Sequence, residues 1–406
     1  MKVLTFGWDF PPQTTGGLGI ACQGLTRELA HGGVEVIFVL PRSQEVHASG
    51  TGKFIFADVE KMVRTREVTS SLVPYLGSQT LVDVYDEFGR RKIYSRTILE
   101  EVHAFAHKAA QIAREEEFDI IHAHDWTSYL AGIAAKKASG KPLVLHVHAT
   151  AFDQAASDNI DPEVFKIEKE AFAMADCIVT VSDFTKRIIV DKHQAEEAKI
   201  EVVHNGCDTH DPAMHPKALQ ELREQGKKIV LYHGRITIQK GVDYFIDAAR
   251  KVVDTDPNVV FVISGKGDMT AQIMNKVGAL GLSQNVIFAG ALWYEERDRM
   301  YQSVDLVVMP SVSEPFGLVP LEAMQHGTPA LISKQSGVSE VMSHVLKVDF
   351  WDTEEMANKI LSALRYPVMR NQLVQEGRQE IKRLSWKHAA TKVIALYRRL
   401  LQFVTS

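Results

Sequence analysis

Short apolar runs of strand length alternate with longer amphipathic stretches along the whole chain. The first run, Val3-Leu4-Thr5-Phe6-Gly7, leads into a loop with clustered glycines. A helical stretch follows and ends near His31-Gly32-Gly33, and a second apolar run occupies Val34 to Leu40. Strand, loop, helix and strand in that order form the repeating unit of an open parallel sheet.

The alternation continues. A long amphipathic helix is predicted from about Ile98 to Glu117, followed by the apolar runs Phe118 to Trp126 and Leu143 to Thr150. Another helix is predicted over Asp161 to Ala175, and further strands over Asp176 to Ser182 and Ile200 to Asp208. Asn205-Gly206 is a turn signal, and the polar, proline-containing run Cys207 to Pro216 reads as a linker. The pattern restarts at Lys228-Ile229-Val230-Leu231-Tyr232-His233. Residues 353 to 403 are mostly helical, with breaks near Pro367 and at Leu384-Ser385-Trp386. The interval 43–96 fits this rhythm least. Lys53 to Ala57 and Leu81 to Tyr85 look like strands, and Asp86-Glu87-Phe88-Gly89-Arg90 like a hairpin turn, so the interval is read as an insertion in the first half. At 406 residues the chain suits two domains of roughly 150–200 residues each, both of α/β class.

Composition narrows the function classes. A net charge of −5 gives no electrostatic case for binding nucleic acid or an anionic membrane. Local basic residues must then do any phosphate binding. Cys22, Cys177 and Cys207 are scattered, which argues against disulfides and a zinc site and fits a cytoplasmic protein. No signal peptide is visible, and no apolar stretch approaches the ~20 residues of a membrane span.

Candidate chemistry collects at strand-to-helix loops. Ser313-Glu314-Pro315-Phe316-Gly317-Leu318-Val319-Pro320-Leu321-Glu322-Ala323-Met324 follows the strand run Asp305 to Met309. Pro320 suits a first helical position, and Gly327 a C-terminal cap. Glu314 then lies on the loop and Glu322 in the first helical turn. The N–H groups of Phe316, Gly317, Leu318 and Val319 crowd a turn that attracts anions. Gly234-Arg235-Ile236-Thr237-Ile238-Gln239-Lys240-Gly241 places a guanidinium fork and a mobile ammonium on another such loop. Ser264-Gly265-Lys266-Gly267-Asp268 is a third, and Thr15-Gly16-Gly17-Leu18-Gly19 a fourth. Two H-x-H pairs, His122/His124 and His146/His148, sit at strand ends with each pair on one face. With Asp125 they offer a competing chemistry, a binuclear metal hydrolase. No later set of spaced ligands completes such a site.

The stretch from Glu314 to Glu322 closely resembles the E-x7-E motif of retaining glycosyltransferases, especially glycosyltransferase family 4 and the glycogen/starch synthases. The G-R-x-x-x-x-K-G arrangement at Arg235 and Lys240 is similar to that family's donor diphosphate clamp. The starch-synthase pattern has Lys where this chain has Thr15. The resemblance covers nearly the whole chain. It implies the GT-B fold: two Rossmann-like domains facing across a cleft, an acceptor-side domain 1–206, a nucleotide-sugar domain 207–385, and a last helix, 386–406, that crosses back to the first. It implies catalytic roles for Glu314, His148, Arg235 and Lys240. Donor binding falls to Gly16, Gly17, Arg235, Lys240, Gly265, Phe316, Gly317, Leu318 and Glu322, and Asp125 lies on the acceptor side. No cofactor and no metal are expected, because the two basic residues take the place of a divalent ion at the diphosphate. The expected substrates are a nucleotide sugar and a carbohydrate acceptor. Three segments, Trp8 to Pro12, His148 to Asp153 and Ser333 to Val338, resemble a short glycogen-synthase-like branch. That points to glucose transfer from ADP-glucose or UDP-glucose to an α-glucan. Transfer to a small sugar, sugar phosphate or lipid-linked acceptor, and a catalytically silent glucan-binding protein, are the other readings.

Overall fold

The structure is a computed structural model that describes residues 1–11, 16–42, 53–56, 82–85, 91–94, 98–208 and 219–404. Thr15, the turn 86–90 and the linker positions 209–218 lie outside the described residues. Packing divides the chain into one unit of residues 1–204 and 386–406 and a second of residues 205–385.

The first unit holds a parallel sheet of seven strands. They are β1 (Lys2–Phe6), β2 (Glu35–Leu40), β3 (Lys53–Phe56), β6 (Ile120–His124), β7 (Leu143–Val147), β8 (Cys177–Thr180) and β9 (Ile200–Val202). Their order is β3-β2-β1-β6-β7-β8-β9. The central strands are buried at every position, as expected of a parallel sheet covered on both faces by its crossover helices. Lys53–Phe56 pairs in parallel with β2, from Ile37↔Lys53 to Leu40↔Phe56. This segment is therefore an edge strand of the main sheet and no part of an insertion. Its register on β2 is a tertiary property that a four-residue apolar run does not encode. Separately, β4 (Val82–Tyr85) and β5 (Arg91–Tyr94) pair as an antiparallel ribbon.

The second unit carries a parallel sheet of β10 (Lys228–His233), β11 (Val259–Ser264), β12 (Val286–Gly290), β13 (Leu306–Met309), β14 (Ala330–Ser333) and β15 (Leu346–Val348). The order is β12-β11-β10-β13-β14-β15. In both sheets the order reverses beside the first strand of the unit, between β1 and β6 and between β10 and β13. Ligands of open α/β sheets bind at such reversals, outside the carboxyl ends of the strands. Among the described residues, no helix is long and apolar enough to cross a membrane.

The last helix, Trp386–Val404, packs in the first unit against the helix Gly17–His31. Gly24 makes this contact close: a Cβ there would stand 2.5 Å from the Trp386 indole. Tyr397, fully buried on the same helix, reaches His122 Nδ1 on β6 with its hydroxyl. Gly24→Ala should destabilise the first unit by about 1–3 kcal/mol through overpacking, despite the better helix propensity of alanine. Urea denaturation followed by tryptophan fluorescence reads this directly. An unchanged midpoint would show that the contact is looser than described.

Candidate active site

At the reversal in the second unit, strand β10 ends on Gly234-Arg235 and β13 leads into the loop that carries Glu314. The ends of β10, β11 and β12 are fastened to one another backbone to backbone. Gly234 N–H donates to Ser264 C=O at 2.9 Å, and Gly265 N–H to Gly290 C=O at 2.7 Å. Gly265 has φ +144°, and a Cβ there would lie 1.8 Å from the Gly234 carbonyl oxygen. Only glycine fits. The protein's own loop packing is thus sufficient reason for this glycine, which the sequence reading assigns to the donor.

Glu314 is buried, and its main chain is held as a short parallel bridge to Ser336. Its N–H donates to Gln335 C=O at 3.0 Å, and Gly337 N–H donates to its carbonyl at 2.9 Å. Its carboxylate Oε2 accepts from Lys240 Nζ at 2.7 Å and from Ser311 Oγ at 2.9 Å. Lys240 ends the short 3-10 turn Ile238–Lys240, so two loops on either side of the reversal are joined by one ion pair. Arg235 Nη2 donates to Gln239 Oε1 at 3.1 Å, which orients the guanidinium on the same loop.

After Glu314 the chain turns through Gly317, at φ +104°, with a hypothetical Cβ 2.8 Å from Met309 Cε. Phe316 is buried, and its carbonyl accepts from Val338 N–H at 2.7 Å. The helix Val319–Gln325 then begins, with Pro320 inside its first turn, Leu318 at the N-cap and Glu322 N–H donating to Leu318 C=O. The first N–H groups of a helix have no acceptor within it and carry partial positive charge. Glu322 is held at both oxygens: Arg297 Nη1 donates to Oε1 at 3.0 Å and Tyr301 OH to Oε2 at 2.8 Å. Glu322 is also the main reason that the Arg297 guanidinium is held above its ordinary pKa. Sequence reasoning missed Arg297 and Tyr301. They stand i, i+4 on the helix Tyr294–Ser303, a spacing that puts both on one face, but nothing local names Glu322 as their target.

In the first unit, Gly16 caps the helix Gly17–His31 and both glycines are exposed. A Cβ at Gly17 meets nothing within 4 Å, so packing does not demand glycine there. On the neighbouring strands, His122, His124, His146 and His148 form a stack. Ring centroids are 4.4 Å apart for His122/His124 and 4.3 Å for His146/His148. His124 Nδ1 and His148 Nε2 share a hydrogen bond of 3.0 Å. Burial holds the His124 imidazole down to about 3. It also pushes His122, His146 and His148 well below their ordinary range, with help from neighbouring rings. All four rings are therefore neutral near pH 7.

His122, His124 and His146 bring ring nitrogens within 4.8 Å of one another. Their planes run close to parallel, 6° between His122 and His146 and 28° between His122 and His124. The lone pairs of stacked rings lie in separate planes and do not converge as tetrahedral ligands do.

Asp125, which the sequence reading puts on the acceptor side, is turned inward. It sits at φ +59°, is buried, and Oδ1 accepts from His148 N–H at 2.6 Å and Ala149 N–H at 3.2 Å. Burial raises its carboxyl to about 8, against the pull of those two hydrogen bonds. Through Oδ1 the carboxyl group is bound to the backbone of the His148 loop.

Comparison with known proteins adds a family. The family model described as Glycosyltransferase Family 4 matches residues 15–211, and that described as Glycosyl transferases group 1 matches residues 216–380. An uncharacterized glycosyltransferase of Methanocaldococcus jannaschii is 26% identical over 98% of this chain and 98% of its own. A glycogen synthase of Mycobacterium tuberculosis is 27% identical over 98% of this chain and 94% of its own. A D-inositol 3-phosphate glycosyltransferase of Mycolicibacterium smegmatis is 30% identical over 70% of this chain and 67% of its own. Among solved structures, sucrose-phosphate synthase of Thermosynechococcus elongatus superposes with a TM-score of 0.74 at 20% identity, over 100% of both chains. HepE of Anabaena, in complex with UDP and glucose, gives 0.71 at 18% identity over 98% of this chain and 99% of its own. These two structures share the GT-B fold with this chain.

The histidine stack carries a pH dependence. Each ring has a folded pKa depressed below the ~6.5 of an unfolded chain, so stability is present above about 6.5 and is lost as pH falls below it, for His124 down to about 3. Among the described residues, both His146 nitrogens and His122 Nε2 lack a hydrogen-bond partner. His146→Leu removes one such ring, and the variant should lose less stability than the wild type between pH 7 and pH 5 in urea denaturation. Equal losses would contradict the assignment.

Proposed function

The chain belongs to glycosyltransferase family 4, and from that premise we propose that it is a retaining transferase that uses a nucleotide-diphosphate sugar. The substrates proposed are glucose from ADP-glucose or UDP-glucose and an α-glucan acceptor. The observation that carries the reading is the Lys240–Glu314 pair at the strand-order reversal of the second unit. A cation for the leaving diphosphate and a carboxylate for the sugar are thereby fixed 2.7 Å apart.

Negative charge develops on the diphosphate as the glycosidic bond breaks. In this reading Arg235, Lys240 and the N–H groups of Phe316, Gly317 and Leu318 stabilise it by preorganised electrostatics. No divalent ion is required. Glu314 Oε2 already accepts from Lys240 and Ser311. That makes it a poor nucleophile and leaves Oε1 to hold the hydroxyls of the transferred sugar. Glu322, fixed by Arg297 and Tyr301, uses its remaining lone pairs for the donor ribose. His148, neutral and stacked on His146, donates or accepts a hydrogen bond at the sugar without introducing a charge that would compete with Glu314. Gly17 leaves room for a substrate group at the N-terminus of the helix that Gly16 caps. Asp125, on the acceptor side, also holds the His148 loop through its backbone.

The D-inositol 3-phosphate glycosyltransferases among the relatives favour a second reading, transfer to a small phosphorylated acceptor. The hydrolase alternative has no further support, since the family is a transferase family. Free cysteines and a nucleotide-sugar donor fit a cytoplasmic enzyme.

A donor screen tests the proposal. Purified protein is given ADP-glucose, UDP-glucose or GDP-mannose, with glycogen, maltose, sugar phosphates or inositol 3-phosphate as acceptors, and nucleotide diphosphate release is followed with and without EDTA. The expected result is EDTA-resistant release from a glucose donor that depends on glycogen and falls ~10²–10³-fold in Glu314→Ala. Release that depends on inositol 3-phosphate or another sugar phosphate would install the second reading, and no acceptor-dependent release from any donor would overturn both. With the active donor, Arg297→Met should raise the donor KM about tenfold while kcat changes less, the mark of a lost binding interaction. A fall in kcat at constant KM would remove Arg297 from donor binding.

A further inference from the structure

Four consecutive backbone N–H groups, His148 through Ala151, end on side-chain carboxyl oxygens. His148 and Ala149 donate to Asp125 Oδ1, at 2.6 and 3.2 Å. Thr150 N–H and its own hydroxyl donate to Asp153 Oδ2, both at 2.8 Å. Ala151 N–H donates to Glu168 Oε1 at 3.0 Å. The path of this loop is thus set by side chains and not by a strand or helix ladder. Asp125 comes from the end of β6, and Asp153 from the short helix Ala151–Ala155 itself, where it completes a capping box with Thr150. Glu168 comes from another helix, Pro162–Met174, and is fully buried.

Glu168 is itself held. Its Oε2 lies 2.7 Å from His193 Nε2, on the last turn of the helix Asp183–His193. The His193 ring is enclosed by Phe152, Phe165 and Phe172, at centroid distances of 5.5, 4.9 and 5.1 Å. Water is kept from the pair, and the Glu168 rotamer is fixed from both sides. A pair that served only to join two helices would have no need of Ala151. Here one carboxylate oxygen is spent on the helix partner and the other on the loop that presents His148.

We propose that Glu168 and His193 are positioning residues that hold the His148 loop in its working conformation, so that the sugar-facing imidazole is placed by a buried pair of residues twenty and forty-five positions downstream in the chain. This rests on the reading of His148 as a sugar-facing residue. Neither residue touches substrate. Loss of Glu168 frees the Ala151 N–H and lets the loop drift, and a displacement near 1 Å is enough to cost ~10²-fold in rate.

The test has a structural and a kinetic arm, so that its failure is separable from failure of the transferase reading. Amide hydrogen exchange of peptides covering residues 148–155 is compared in wild type, Glu168→Ala, Glu168→Gln and His193→Gln. Exchange should be at least tenfold faster in Glu168→Ala and near wild type in Glu168→Gln, whose amide oxygen still accepts from Ala151 while its NH2 faces His193. In the kinetic arm, Glu168→Ala should lower kcat ~10²-fold with donor KM within about threefold, and Glu168→Gln should restore kcat to within about fivefold. Where Glu168→Ala does not fold, His193→Gln, expected to lower kcat about tenfold, decides the matter. Unchanged exchange in Glu168→Ala, or in His193→Gln where that variant decides, overturns the proposal whatever the substrate proves to be. So does an active wild type whose deciding variant keeps kcat within twofold. Loss of kcat that Glu168→Gln does not rescue, with exchange raised across the whole unit, also overturns it and leaves Glu168 a stability residue.

Discussion

Reversal of strand order in a parallel sheet is the constraint on which this molecule depends. Crossover helices must be right-handed, so strands on the two sides of the first strand send their helices to opposite faces of the sheet. At the reversal the loops part, and backbone alone does not fill the space at the carboxyl ends of the strands. Both units reverse in this way, at β1/β6 and at β10/β13. His124 and Asp125 stand at the first reversal, and Arg235, Lys240 and Glu314 at the second. Strands β11 and β13 are buried throughout, and in the second unit the candidate chemistry is confined to the segments that follow the strands.

The two reversals are treated differently. In the second unit, opposite charges meet: Lys240 with Glu314, Arg297 with Glu322. These pairs are partly buried, so removing one partner leaves a charge that is poorly solvated and poorly compensated. In the first unit, charge is kept low. Four neutral imidazoles are stacked, and carboxylates are turned into the backbone and satisfied by N–H groups. An edge rich in paired charge suits a diphosphate, and an edge of neutral hydrogen-bonding groups suits a sugar. That division is the physical core of the proposed reading.

Much of this was legible in the sequence. Apolar runs located the strands, because a buried parallel strand is a continuous hydrophobic segment. Glu314, Glu322, Arg235 and Lys240 were legible because each sits in a compact motif on one loop. What was not legible depends on partners distant in sequence. Lys53–Phe56 joined the main sheet through its register on β2. The closure of the Asp125 carboxyl group on backbone N–H groups more than twenty residues on is another such case. A side chain that binds backbone leaves no residue-type signal at the other end of the bond. Arg297 and Tyr301 looked like members of an ordinary polar helix until Glu322 was placed against them. Gly265 was legible as important, but the carbonyl of Gly234 that excludes a side chain there was not.

In the proposed reading the second unit's edge is built for a diphosphate. Calorimetric titration of UDP and ADP against UMP and AMP, with wild type, Arg235→Ala and Lys240→Ala, tests it without any need for the acceptor. The preferred nucleoside diphosphate should bind at least tenfold more tightly than its monophosphate, about the value of one charge-assisted contact, and either substitution should abolish the difference. Equal affinity for the mono- and diphosphate in the wild type, or a preference that survives both substitutions, would contradict it.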